Sequence, residues 1–179
     1  MVSKPGDSFV DRIAALQALR TIASTVYVVA TKTPDAGFFA TTATAVTAVC
    51  LDPPTLAIFL NRNGAITERI RSGVLFSVSA LTQDQVAIAR ACAGGVPHPE
   101  REKHFEPANG TAVPVVTGAQ AGFVCRCADT IIRGTHTVIF GSIIDVDKRE
   151  LIAPLLYLDA QYGGFSAMPQ TLSGKTSEN

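Results

Sequence analysis

The segment from Gly37 to Asn63 constrains the fold most, because it joins two β-forming runs across a proline interruption. Asp52-Pro53-Pro54 ends the first run, since proline has no N–H to donate to a strand ladder. We therefore predict one strand from about Phe39 to Val49 and a second from Thr55 to Leu60. The first strand carries small side chains and hydroxyls: Thr41, Thr42, Thr44 and Thr47. Small residues let the backbone approach a flat ligand, and hydroxyls offer it directed hydrogen bonds.

The rest of the chain contains further β-forming runs and few helices. Additional strands are predicted at Thr25–Thr31, Val74–Ala80, Gln120–Thr130, His136–Val146 and Leu155–Leu158. Three helices are predicted. The first follows a cap at Asp7 or Ser8 and has an apolar face at Phe9, Ile13, Leu16 and Ile22. The second covers Ala65–Arg71, and the third runs from the capping box Thr82/Gln85 to Gly94. The proline-broken segment 96–114 is predicted to be a loop. Without strand–helix alternation, the pattern favours an antiparallel sheet or barrel with peripheral helices.

Composition excludes several classes of function. The chain has 179 residues, 47% of them apolar, and a formal net charge of zero, which predicts one globular domain without a basic surface for nucleic acid or anionic membranes. No apolar run reaches the ~18 residues of a membrane span, and no secretory signal is visible. The four cysteines are typical of reduced thiols in a cytoplasmic protein.

Several short motifs do not support a function by themselves. No G-x-G-x-x-G occurs, so a nicotinamide cofactor is not expected on a Rossmann turn. Gly174-Lys175-Thr176 lacks the strand, loop and helix that a phosphate loop requires. Cys125 and Cys127 share a strand face, but His136 alone does not complete a metal site with them, so we interpret both as inert thiols and predict no metal.

Three landmarks, in order, resemble the short-chain flavin reductase family over roughly residues 9–162. The landmarks are the sequence from Thr42 to Pro54 followed by Asn61-Arg62, the segment from Ala89-Arg90 to Phe105, and Gly134-Thr135-His136-Thr137 with Pro154-Leu155-Leu156-Tyr157 and Tyr162 after it. The resemblance implies a mainly β fold, a six-stranded antiparallel split β-barrel of Greek-key type with a few peripheral helices. It also implies one domain over residues 8–167, flexible ends at 1–7 and 168–179, and a homodimer with flavin near the subunit interface.

The resemblance further implies an NAD(P)H:flavin oxidoreductase. Such enzymes reduce FMN or FAD by hydride transfer from NADH or NADPH and supply the reduced flavin to a separate monooxygenase. Two alternatives stay open: a ferric reductase that acts through reduced flavin, and a flavin-binding carrier without catalysis. The preferred flavin and the preferred nicotinamide nucleotide also stay open.

The family pattern assigns expected roles to particular residues. The residues expected beside the isoalloxazine ring are Thr42, Ala43, Thr44 and Ala45. Those expected to bond the pyrimidine side of the ring, largely through backbone groups, are Thr47, Ala48, Val49 and Cys50. Those expected near the ribityl phosphate are Asn61, Asn63, Gly64 and Ala65. His136 and Tyr162 are expected to position the nicotinamide, with a strand-end histidine and a packing tyrosine as the alternatives. No residue is expected to act as an acid or base. Relatives often carry serine where this chain has Cys50 and Gly64.

Overall fold

The fold is described from a computed structural model over residues 11–35, 37–94, 98–150 and 152–168. The predicted helix cap at Asp7 or Ser8 lies outside these residues. So do the predicted flexible ends, apart from Met168, and the domain limits of 8–167 stay a prediction. Within the described residues, no helix is both long enough and apolar enough to cross a bilayer.

The chain forms short helices around long antiparallel strands. The helices are α1 (Arg12–Arg20), α2 (Ala65–Arg71), α3 (Val86–Cys92) and α4 (His98–Glu102). The strands are β1 (Ser24–Thr25), β2 (Tyr27–Thr33), β3 (Gly37–Ala43), β4 (Val46–Leu51), β5 (Pro54–Asn61), β6 (Phe76–Ala80), β7 (Phe105–Pro107), β8 (Pro114–Val116), β9 (Ala121–Arg133), β10 (His136–Lys148), β11 (Leu156–Leu158) and β12 (Gln161–Gly163).

The main sheet has seven strands in the order β3-β2-β6-β9-β10-β5-β4, and every neighbouring pair is antiparallel. Its two edge strands, β3 and β4, are consecutive in the chain, with only Thr44 and Ala45 between them. Three peptide units from Ala43 to Val46 span at most about 10 Å. The two edges must therefore approach each other at Thr44 and Ala45, which curls the sheet into a partly open barrel.

This crossing corrects the prediction of a single strand from Phe39 to Val49. β3 pairs with β2, whereas β4 pairs with β5 at the opposite edge of the sheet. Threonine, alanine and valine continue through the break, so β propensity alone did not reveal where the pairing partner changes.

Other differences are local. The main sheet has seven strands rather than six. The segment predicted as a loop contains α4 and the β7–β8 hairpin, and β12 was not predicted. These elements are five residues long or shorter, and periodicity is a weak signal over so few positions. The mainly β, antiparallel class with peripheral helices is confirmed.

The core lies inside the curled sheet and under α2. Ile58, Ile70, Phe76, Val78 and Ile139 are almost fully buried there in one cluster. A second cluster packs α3 against β2. In contrast, α1 buries none of its residues in this chain. It starts after the cap Asp11, so of its predicted apolar face only Ile13 and Leu16 lie on the helix, and both are exposed. Ile22 follows the helix, and Phe9 lies outside the described residues.

Thr137 provides a test of the core. Its side chain is fully buried, and its Oγ1 atom has no hydrogen-bond partner among the described residues. A buried hydroxyl without a partner costs about 1–3 kcal/mol, so we expect Thr137→Val to raise the free energy of unfolding by about 1 kcal/mol in urea denaturation. The matched control is Thr31→Val, because the equally buried Thr31 donates to the Leu75 carbonyl at 2.7 Å. That variant should be destabilised, and equal effects from the two would contradict the assignment.

Candidate active site

A cavity of about 300 Å³ lies where the two edges of the main sheet meet. Seven residues expected from the sequence to bind flavin or nicotinamide line it: Thr42, Ala43, Thr44, Ala45, Asn61, Gly64 and His136. The cavity forms there because the β3–β4 link, the end of β5 and the start of β10 converge. Asn61 and His136 are direct neighbours in the β5–β10 pairing, and the Phe59 N–H donates to the Ala45 carbonyl at 3.0 Å.

The loop between β5 and α2 is held by its own hydrogen bonds. Asn61 Oδ1 accepts from the Asn63 N–H at 3.0 Å. The Asn61 carbonyl accepts from the Gly64 N–H at 3.0 Å and from Thr67 Oγ1 at 2.8 Å. Ala65 then begins α2 and is exposed. This wall of the cavity is therefore organised before any ligand binds.

The hydroxyl of Thr42 already has a partner within the protein. Its Oγ1 donates to the Ala89 carbonyl of α3 at 2.6 Å, which fixes the helix against β3. Ala43 is buried, whereas Thr44 and Ala45 are exposed at the cavity. A flat ligand would thus meet small side chains and backbone on this wall.

None of the four expected residues on β4 lines this cavity, and the strand leads away from it after Ala45. Strand β4 is an edge of the main sheet, and it has a bulge between Ala48 and Cys50. One side of this backbone has no strand partner in the described chain, so its polar groups are available to a ligand. The side chains of Thr47, Ala48, Val49 and Cys50 are exposed.

Tyr162 lies outside this cavity. Its ring packs edge-on against Tyr157, with 5.2 Å between centroids, and the Arg90 guanidinium lies 5.7 Å from its centroid. Tyr157 lines a second cavity, which also includes Thr44. Tyr162 therefore supports a wall that adjoins the first cavity through Thr44.

His136 is exposed at the first residue of β10. Its Nδ1 atom lies 2.9 Å from Thr135 Oγ1. This contact restrains the imidazole ring at the mouth of the cavity. The alternative prediction was a strand-end histidine whose ring hydrogen-bonds to a backbone carbonyl. No such hydrogen bond of His136 is found among the described residues.

Four lining residues were not predicted: Phe59, Leu60, Ile66 and Thr67. A fifth, Thr41, was noted as a hydroxyl of the first strand but was given no role at the site. Leu60, Ile66 and Thr67 are buried, and in sequence they resemble ordinary core positions. Phe59 is partly exposed between the buried Ile58 and Leu60, but the sequence from Leu56 to Leu60 is apolar throughout, so no alternation marked it.

Burial makes two of the four cysteines unreactive. Burial raises the pKa of the Cys125 thiol to about 12 and that of Cys92 to about 11, so both stay protonated and unreactive at neutral pH. Within the described ranges, no three His, Cys, Asp or Glu side chains are grouped so that they could hold a metal ion. Cys50 is exposed and contacts the Pro53 carbonyl at 3.1 Å.

Comparisons with known proteins agree with this geometry. Residues 19–166 match the flavin reductase like domain, and the chain belongs to this family, which confirms the resemblance found in the sequence. It is 36% identical over 157 residues to the reductase component of an FADH2-dependent resorcinol hydroxylase from Rhizobium sp. strain MTP-10005, covering 87% of each chain. It is 30% identical over 153 residues to the FMN reductase (NADH) RutF of Stutzerimonas stutzeri, covering 84% of this chain and 86% of that one.

A solved structure shows the same fold. Flavin reductase PheA2 superposes with a TM-score of 0.79 at 25% identity, covering 88% of this chain and 100% of the other.

Proposed function

We propose that this chain is an NAD(P)H:flavin oxidoreductase, which reduces FMN or FAD with NADH or NADPH and supplies reduced flavin to a separate monooxygenase. The observation that carries the proposal is the cavity between Thr44 and His136, built by the crossing of β3 to β4 in a member of the flavin reductase family. Relatives named as reductase components of oxygenase systems support the role as electron supplier.

The residues around the cavity fit a flavin. Thr44 and Ala45 leave room for a flat ring, and the unpaired side of β4 offers backbone groups to its pyrimidine edge. A Cβ atom on Gly64 would lie only 3.1 Å from the Asn61 carbonyl, so the loop backbone itself closes that end of the cavity. Thr42 to Ala45 would lie beside the ring, Thr47 to Cys50 along its pyrimidine side, and Asn61 and Asn63 to Ala65 near the ribityl phosphate.

The flavin would serve as the two-electron acceptor, and the protein would hold the flavin and the nicotinamide in position. His136, held by Thr135, presents its ring at the cavity mouth and orients the nicotinamide. Tyr162 acts indirectly by supporting Tyr157. No residue has to act as an acid or base, because orientation and exclusion of water are what the protein contributes to hydride transfer.

A homodimer completes the proposed site. Phe59, Val138 and Ile131 are cross-strand neighbours on β5, β10 and β9, and Phe59 and Ile131 are 39% and 52% exposed. At the other end of the adjacent edge strand, opposite Pro54, Leu51 is also 85% exposed. An apolar row of this kind next to an open sheet edge is typical of a protein interface, and a second copy would cover it.

The cytoplasmic location stays a prediction from the free cysteines.

Oxidation of NADH and NADPH by the purified protein, with and without FMN or FAD, tests the proposed function. We expect oxidation that saturates with one of the flavins. Flavin binding without oxidation of either nucleotide would favour the carrier alternative. Ferric iron reduced only when free flavin is present would show that iron is an indirect acceptor.

Gly64 allows the phosphate assignment to be tested. It is the cap residue of α2, with extended backbone angles that any residue adopts. We expect Gly64→Ser to bind FMN about 10-fold more tightly than Gly64→Ala, because a hydroxyl bond to a charged phosphate contributes about 1.5–3 kcal/mol. The alanine variant is the matched control, since both substitutions place the same Cβ near the Asn61 carbonyl. Riboflavin, which lacks the phosphate, should bind both variants equally, and a gain for riboflavin would contradict the assignment.

A further inference from the structure

The wall of the candidate active site continues along β3 and α2 beyond the residues that line the cavity. Thr41 of β3 and Ile66 of α2 are both lining residues. Phe39 lies two residues before Thr41 on the same face of β3, and Arg69 lies one turn after Ile66 on the same side of α2. The Arg69 guanidinium lies 4.4 Å from the centroid of the Phe39 ring. We call this stacked pair the arginine shelf.

The charge of Arg69 has no anionic partner within the described chain. Its side chain is partly buried, and its Nε atom is buried without a hydrogen-bond partner. No carboxylate of the described residues forms an ion pair with it. The neighbouring Glu68 is exposed, and adjacent residues of a helix do not face each other. A partly buried guanidinium with an aromatic ring beside it still has unused N–H donors, and an anion would satisfy them.

The arginine shelf lies beyond the place proposed for the first phosphate of the flavin. That phosphate is proposed to lie at the loop from Asn61 to Ala65, before the first turn of α2. Stacking on Phe39 holds the guanidinium farther along the wall, because Phe39 is about 7 Å along β3 from Thr41. FMN ends at its first phosphate, whereas FAD continues with a second phosphate and an adenosine. Only FAD therefore has a phosphate that extends past the loop toward the shelf.

From this geometry we infer that Arg69 is a specificity-determining residue, which binds the second phosphate of FAD and makes the enzyme favour FAD over FMN. This role rests on the proposed function, which leaves the choice between the two flavins open. A guanidinium presents its N–H donors in a planar fork that matches two oxygens of a phosphate. The Phe39 ring restrains the plane of that fork before the flavin binds, which reduces the entropy lost on binding.

Calorimetric titration of flavins into Arg69→Gln tests this role without any turnover. Glutamine removes the charge and the fork but is a good helix former. We expect the dissociation constant of FAD to rise about 10-fold, because a charge-assisted contact is lost. The constants of FMN and of riboflavin should stay within about twofold. The matched control is Arg71→Gln, which removes the same charge from an exposed position of the same helix and should leave all three constants unchanged.

Two further measurements keep the test decisive if the glutamine variant does not fold. The unmodified protein should bind FAD several times more tightly than FMN. Arg69→Lys keeps the charge and the aliphatic stem but not the planar fork, so it should weaken FAD binding in the same direction and leave FMN binding unchanged.

Tighter binding of FMN than of FAD by the unmodified protein would overturn the role of Arg69. Equal losses of FMN and FAD affinity in Arg69→Gln would also overturn it, because the contact would then be with the first phosphate, as would an unchanged FAD affinity in the folded variant. Failure of the proposed function looks different, because the unmodified protein would then oxidise neither NADH nor NADPH, whichever flavin it binds more tightly.

Discussion

Replacing Ala45 with phenylalanine is expected to abolish flavin binding while leaving the fold intact. Ala45 lies in the link between β3 and β4, its side chain is exposed at the cavity, and its carbonyl accepts from the Phe59 N–H. The substitution keeps that backbone bond and places an aromatic ring where the isoalloxazine is proposed to lie. We expect the FMN dissociation constant to rise at least ~100-fold, which corresponds to about 2.7 kcal/mol, measured by titration of flavin fluorescence.

Ala87→Phe is the control for this variant. Ala87 is an exposed alanine of α3 that does not line the candidate active site, so FMN affinity should be preserved. Normal FMN binding by Ala45→Phe would place the flavin elsewhere. An altered circular dichroism spectrum would instead show that the β3–β4 link does not tolerate the ring.

The second large effect is expected at His136. Removing its ring in His136→Ala should lower kcat/KM for NADH about 30-fold, because a small misplacement of reacting groups costs up to about 100-fold in rate. The FMN dissociation constant should stay within about twofold, since the histidine lies at the cavity mouth and is proposed to contact only the nicotinamide. Steady-state NADH oxidation and a separate FMN titration measure the two quantities.

Thr135→Val is the matched variant for His136. It removes the hydroxyl that lies 2.9 Å from Nδ1 and leaves the ring in place. A loss in the same direction but several times smaller is expected, because the ring is less restrained. Parallel losses of NADH use and FMN affinity in His136→Ala would mean that the histidine supports the whole cavity, and the nicotinamide role would be wrong.

Sequence patterns predicted the long strands well and the short elements poorly. The predicted bounds of α2 agree with the structure, and β5, β9 and β10 lie within one to three residues of their predicted positions, because apolar periodicity is strong over such segments. The exchange of pairing partner at Thr44 and Ala45 was not predictable. It depends on the closure of the sheet, which is a property of long-range pairing and not of local propensity.

The candidate site was likewise predicted only in part from the sequence. The resemblance identified residues far apart in the chain, such as Thr44, Asn61 and His136, and the structure brings them around one cavity. It did not identify Ile66 and Thr67, since buried residues in the first turns of α2 look like core.

The most direct test of the account is anaerobic mixing of the purified protein and FMN or FAD with excess NADH, followed by the absorbance of oxidised flavin. The account predicts rapid bleaching that requires the protein, slows with NADH deuterated at the transferred position, and is largely lost in Ala45→Phe. Flavin that binds to the unmodified protein but stays oxidised in the presence of NADH would contradict it.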